Sequence, residues 1–197
     1  MSLLFRLVSL AVLVGVAHQP QVLPELRSGD IVLQASKSER ARLIRRASDS
    51  PYSHVGLVEV APDGVFVIEA IEPVSRTPFK QWQARGIDQK ITVLRARVLD
   101  GVALQSVVTV AKSYLGTHYD ARYQWGDDRL YCSELVVKAF SKGAGLSLGH
   151  LQPLASLHLK AAELREAKAL GIASDTNLVT PQAIAVDAQM ETVFSDF

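Results

Sequence analysis

Two apolar, β-branched runs flank a short turn sequence: YSHVGLVEV (52–60) and VFVIEAI (65–71), joined by APDG (61–64). β-Branched residues suit a pleated strand, and Pro62 at the second turn position with Gly64 at the fourth suits a type I turn. The segment predicts an antiparallel hairpin. With Pro62 and Asp63 as a two-residue connection, Ala61 lies opposite Gly64 and Gly56 opposite Glu69. His54 and Glu69 are then diagonal neighbours on one face, within reach of long side chains. A three-residue connection would put them on opposite faces unless a bulge restored the register. Glu69 is a carboxylate in an apolar strand, which is costly unless paired. Gly56 weakens its strand unless something must approach it closely.

Other elements follow the same logic. DIVLQAS (30–36) and KITVLRAR (90–97) read as strands, and Gly29-Asp30 as a turn before the first of them. Helical spacing marks 38–48, with Ser38 as N-cap, and 104–116, which stops at Gly116. TPFKQWQAR (77–85) reads as a short helix, and a helix carrying Cys132 runs to about Lys142. SLHLKAAELREAKALG (156–171) reads as a further amphipathic helix, and Thr180-Pro181 as an N-cap with a first-turn proline. QPQVLPELRSG (19–29) is an extended leader, and Trp82 and Trp125 are packing candidates, with Trp125 the better placed to touch a ligand. Helices and hairpin strands segregate rather than alternate, so the fold class is α+β with an antiparallel sheet packed with helices.

At 197 residues the chain can bury one proper core, so residues 18–197 are read as a single domain. A net charge of +1 argues against a nucleic-acid binder, which wants a basic stripe. Residues 1–17, MSLLFRLVSLAVLVGVA, read as a signal peptide, with small residues at 15 and 17 ahead of a cleavage after Ala17. The other reading is a membrane anchor, but an uncharged run of about ten residues is short of the roughly 20 a span needs. Export, periplasmic or secreted, is the expected location.

An exported chain with one cysteine cannot form an internal disulfide. Cys132 is then an inert buried side chain, an intermolecular link, or a working thiol. Its place at a helix start favours the thiolate, since unpaired N–H groups and the helix dipole attract an anion. A histidine beside it would share the proton, and a third group would orient the ring. Of five histidines, His18 lies at the cleavage junction, His118 in the loop before the cysteine, and His150 and His158 in polar C-terminal stretches. His54 lies in a strand, with Glu69 as its candidate partner; Glu59 and Glu72 are rival carboxylates nearer the turn or strand end.

The ordered set GDIVLQAS, YSHVGLV, VFVIEA, YLGTHYD and YCSELVVKAF, with VTPQAI near the end, resembles the permuted papain-like hydrolases, the YiiX-like branch of the NlpC-type superfamily. The resemblance covers roughly residues 27–145 and implies a circularly permuted papain-like fold in which His precedes Cys. It implies Cys132 as nucleophile, His54 as base and Glu69 as orienting acid. One departure is His118, where the family's LGxPYD has proline.

The reaction so implied is hydrolysis of an amide, of peptide or peptidoglycan type, with a peptide or cell-wall substrate. Cleavage or transfer of a lipid acyl ester is the alternative, and a non-catalytic ligand-binding member of the fold is another. An amidase needs polar groups to grip an amine or carboxylate, a lipase an apolar groove. Tyr119, Tyr131 and Ser133 are candidate substrate-binding residues by their place around the cysteine; Tyr119 and Asp120 read equally as packing and loop-closing residues. Ser133 and Glu134 also suit the first turn of a helix. A zinc site is the rival chemistry, but no CxxC or HxxxH pair occurs, and no metal or cofactor is expected. Lys37, Arg40, Arg42, Arg45 and Arg46 form either a solvated helix face or a face for an anionic lipid head group or wall polymer.

Overall fold

A computed structural model describes residues 22–197. The predicted signal peptide, residues 1–17, and His18 lie outside the described residues. Strand β1 (Ile31–Gln34) is followed by helix α1 (Glu39–Ala47), the hairpin β2 (His54–Ala61) and β3 (Gly64–Glu69), and the edge strand β4 (Ser75–Pro78). Helix α2 (Phe79–Arg85) leads to β5 (Ile91–Ala96), and α3 (Gly101–Ser113) to a parallel pair of short strands, β6 (His118–Tyr119) and β7 (Arg129–Leu130). Helix α4 (Cys132–Ala144) follows directly. The remainder is a small ribbon of β8 (Gln152–Pro153) with β9 (Asn177–Leu178), separated by α5 (Ala161–Ala169), then α6 (Pro181–Ala185) and β10 (Met190–Ser195).

Six strands form one antiparallel sheet in the order β10-β5-β1-β2-β3-β4. The hairpin has its two-residue connection: Ala61 pairs with Gly64 and Leu57 with Ile68, which carries the register on to Gly56 opposite Glu69. Alternation divides the sheet's side chains between two cores. Ile31, Leu33, Val55, Leu57 and Ile68 pack with Val107, Leu135, Ala139 and Phe140 of α3 and α4. Val32, Val58, Val67, Ile91 and Val93 pack with Phe79 and the fully buried Trp82 of α2.

The helix starts obey the expected capping chemistry. Ser38 Oγ accepts from Ala41 N at 3.1 Å, Asp100 from Ala103 N at 2.8 Å and Thr180 from Ala183 N at 3.1 Å. Helix α4 stops where Gly145 turns left-handed, φ 66°. The helix expected over 156–171 is shorter. Residues 154–156 form a single 3-10 turn, and His158 N donates to Ala47 O, tying that stretch to α1. The helix begins only where Glu163 accepts from Lys160 N at 2.8 Å.

Helices α3 and α4 cross closely at Gly143. A Cβ there would meet Val107 Cα at 2.6 Å and Val107 N at 2.7 Å, backbone atoms that cannot rotate away. Gly143→Ala is therefore expected to cost about 1–3 kcal/mol through overpacking, read as a lower denaturant midpoint at unchanged slope. An unchanged midpoint would show that the crossing yields freely.

Candidate active site

The cysteine helix meets the hairpin at the start of β2. Cys132 is the first residue of α4 and lies buried against the main core. Its N–H, like those of any first helical turn, has no intrahelical acceptor. The His54 imidazole next to the Cys132 thiol, together with the Val55 backbone and the Ser133 hydroxyl, favours the sulfur's anion. Burial alone would raise the thiol pKa; the imidazole's bond and charge overcome it, so the net shift is downward.

The His54 ring is held from the other side. Its Nε2 donates to Glu69 Oε2 at 2.6 Å, leaving Nδ1 for the sulfur. Burial opposes the charged ring, but the bonds to Cys132 and Glu69 prevail and lift its pKa to about 9. Both shifts favour the thiolate–imidazolium form of the pair. Glu69 is fully buried, yet its pKa is lowered: burial acts against the charge, while His54, Thr77 and Arg85 favour it. Thr77 donates to Glu69 Oε1 at 2.6 Å, and Arg85 at the end of α2 pairs with the same oxygen.

Gly56 shows why this geometry needs its sequence. A Cβ there would lie 2.4 Å from Val67 Cγ1 and 3.5 Å from Glu69 Cβ. The close approach that a strand glycine implied is the passage of β3 side chains over β2. Thr77 and Arg85 were not legible in the sequence. The cost of burying Glu69 signalled only that it must be paired.

The rival carboxylates are engaged elsewhere. Glu59 pairs with Arg76 and Lys112, and Glu72 pairs with His118 while accepting from Tyr119 N. His118, in the place of the family's proline, thus pins its own loop. Asp120 closes a turn by accepting from Arg122 N at 2.8 Å, the loop-closing reading. Trp125 is half-exposed with the Lys138 ammonium over its ring, and it lines neither cleft at the cysteine. Gly29, at φ +90°, and Asp30, paired with Arg95, make the structural turn.

Two clefts adjoin the pair. One, a narrow space of about 60 Å³, runs from Cys132, Tyr131 and Ser133 between α1 and α5 and is almost wholly apolar, with Leu43, Leu157 and Ile172 in its walls. Tyr131 is fixed there by Val179 N, which donates to its hydroxyl at 3.0 Å. The second cleft opens beside His54 and has more polar and charged side chains in its lining than the first, with Tyr119 in its wall. Arg40 borders both, its guanidinium donating to Ala121 O at 2.7 Å and facing the Tyr123 ring. Arg42 pairs with Glu39 and Arg46 with Glu163, so much of the basic cluster is neutralised locally.

A histidine that precedes a helix-start cysteine in the chain, and meets it across an antiparallel sheet, defines a circularly permuted papain-like protein. The family model described as "Permuted papain-like amidase enzyme, YaeF/YiiX, C92 family" matches residues 25–194, and the chain belongs to that family. It is 36% identical over 202 residues to the uncharacterized protein YiiX of Escherichia coli (strain K12), covering 98% of this chain and 96% of the relative. A crystal structure described as that of the metalloprotein yiiX from Escherichia coli O157:H7 superposes with a TM-score of 0.81 at 36% identity. That match covers 87% of this chain and 98% of the other. In this chain, among the described residues, no three His, Cys, Asp or Glu side chains converge to hold a metal ion. His54 Nε2 is bound to Glu69, and both Glu69 oxygens are taken. The residues present do not fit a metal centre at the thiol.

Proposed function

We propose that the protein is a cysteine hydrolase that cleaves an amide bond, with Cys132 as nucleophile, His54 as general acid and base, and Glu69 as the orienter of the ring. The observation that carries this reading is the buried His54–Glu69 hydrogen bond at 2.6 Å, with the imidazole next to the Cys132 thiol and drawing its pKa down. The thiolate adds to the substrate carbonyl, and the Cys132 N–H at the head of α4 is placed to meet the oxyanion. The imidazolium gives its proton to the amide nitrogen as the C–N bond breaks, leaving a thioester. Neutral His54 then takes a proton from water, which displaces the thiolate and restores the pair.

The apolar cleft at Cys132 favours an aliphatic acyl group on the carbonyl side, and that cleft brings in cleavage or transfer of a fatty-acyl ester as the second reading. Both substrates fit an exported location, which residues 1–17 support.

The test is the pH dependence of kcat/KM. The rate rises as Cys132 ionises, below the ordinary thiol range, and falls through about pH 9 as His54 loses the proton it must donate. Glu69→Gln removes one of the bonds that raise the His54 pKa, so the alkaline limb moves to lower pH. A profile with no alkaline limb, or one that Glu69→Gln leaves in place, would overturn the assignment.

A further inference from the structure

The two sides of the thiol differ in room. Cys132 is 3% exposed, and the apolar cleft that begins at it has about 60 Å³, against about 380 Å³ beside His54. One water takes about 30 Å³ of liquid, and a cavity of about 150 Å³ takes a benzene. An aliphatic acyl chain therefore has no place at Cys132 until a wall of the apolar cleft moves.

Which wall moves follows from what holds each one. Cys132 and Ser133 open α4, which is fixed in the main core by Leu135, Ala139 and Phe140. The facing wall is α1, with Arg40, Leu43, Ile44 and Ala47. Of its nine residues only Ala41 and Ala47 are buried, each with a single methyl group. So little apolar burial binds a helix weakly, and elements bound in this way open before the core does. The ends of the excursion are firm: Gln34 and His54, which bracket residues 35–53, are partners across β1 and β2. Helix α1 can therefore shift without disturbing the sheet.

Polar ties hold α1 down. Arg46 Nε lies 2.7 Å from Glu163 Oε1 of α5, and Glu163 stands in the cleft wall. His158 N donates to Ala47 O at 2.9 Å, and Arg40 to Ala121 O at 2.7 Å. The Arg46 side chain is 49% exposed, so its bond with Glu163 is a latch of modest strength.

We propose that residues 35–53 form a strap over the acyl side of the site, latched by Arg46 and Glu163, and that acyl groups reach Cys132 only when α1 swings away from α5. This rests on the use of Cys132 proposed above and assigns that site a gate. The apparent affinity for an acyl substrate is lowered by the fraction of molecules that are open.

Cys132 is the one cysteine of the chain, so its alkylation reads the gate directly. Iodoacetamide and N-octyl iodoacetamide carry the same reactive group. Their rates with the intact protein, followed by intact mass, are each divided by the rate with N-acetylcysteine. In the parent the octyl reagent is expected to lag by about tenfold or more. Arg46→Gln should speed the octyl reagent about fivefold, the reach of a partly exposed ion pair, and leave iodoacetamide within about twofold. Glu163→Gln keeps an acceptor for Lys160 N and should act alike, with the double variant no faster than either single one. Hydrogen exchange of the α1 amides should quicken in Arg46→Gln while that of β1 and β2 does not. Equal normalised rates in the parent overturn the strap and leave the thiol mechanism standing. So does an Arg46→Gln protein that speeds both reagents alike or neither, or whose whole sheet exchanges faster. Labelling of neither protein by either reagent overturns the strap and the nucleophile reading together.

Discussion

Cys132→Ala should lower kcat/KM by on the order of 10⁴-fold or more, with little change in stability. The sulfur is small, and the side chain it leaves behind still packs against the same core, so the fold has little to lose. The chemistry loses everything that follows addition to the carbonyl, because no neighbouring group can form the thioester. Cys132→Ser tests the same point more sharply. A hydroxyl keeps the volume, but His54 cannot hold it ionised near neutral pH as it holds the thiol. His54→Ala should cost nearly as much, and adding it to Cys132→Ala should cost little more, since the two act as a unit. Turnover together with intact mass after an acyl electrophile decides it. An alanine variant with parental turnover would remove Cys132 from the reaction.

Lys138→Met is expected to destabilise the protein by about 3 kcal/mol, because it strands a buried charge. Glu134, in the first turn of α4, is wholly buried and pairs with Lys138 at 2.8 Å. It also accepts from Gly126 N at 2.9 Å and Tyr131 N at 3.4 Å, so it ties the preceding loop to the helix. Lys138 in turn reaches Asp127 at 2.7 Å. Burial already raises the Glu134 pKa against the pull of Lys138. Without the ammonium it rises further, so the folded state binds the proton more readily than the unfolded chain. The deficit relative to the parent is then greatest at neutral pH and shrinks as pH falls towards the carboxylate range. Adding Glu134→Gln to Lys138→Met should restore much of the loss, since the stranded charge is gone. Denaturant midpoints at two pH values measure this. A loss under about 1 kcal/mol, independent of pH, would show a solvated pair.

The hairpin was legible because its turn residues and its β-branched runs agree, and agreement between local signals is what specifies a register. The two-residue connection permits His54 and Glu69 to meet, and the observed register is that one. The helix carrying Cys132 was read to about Lys142 and runs from Cys132 to Ala144. Strand β4 was not legible, since SRTP is polar and carries a proline, as edge strands do. β10 was missed too: its pairing with β5 shifts between Thr192 and Phe194, which breaks the alternation that marks a strand. The two clefts were beyond the sequence for another reason. The walls of the apolar one come from α1, α5 and the residues after β9, and those of the other from β1, α1, the start of β2 and the end of β3, which lie together only once the chain has folded.

The carboxylate beneath the imidazole is gripped by Thr77 from the outermost strand and by Arg85 from the short helix that follows it. The ring's tilt is thus guaranteed by the margin of the sheet, the part with fewest neighbours to hold it. Margins of this kind open at a fraction of the free energy of global unfolding. Warming or mild denaturant would disarm the protein while its interior still reported a native state, so the lifetime of competence is set by one frayed border rather than by the strength of the whole.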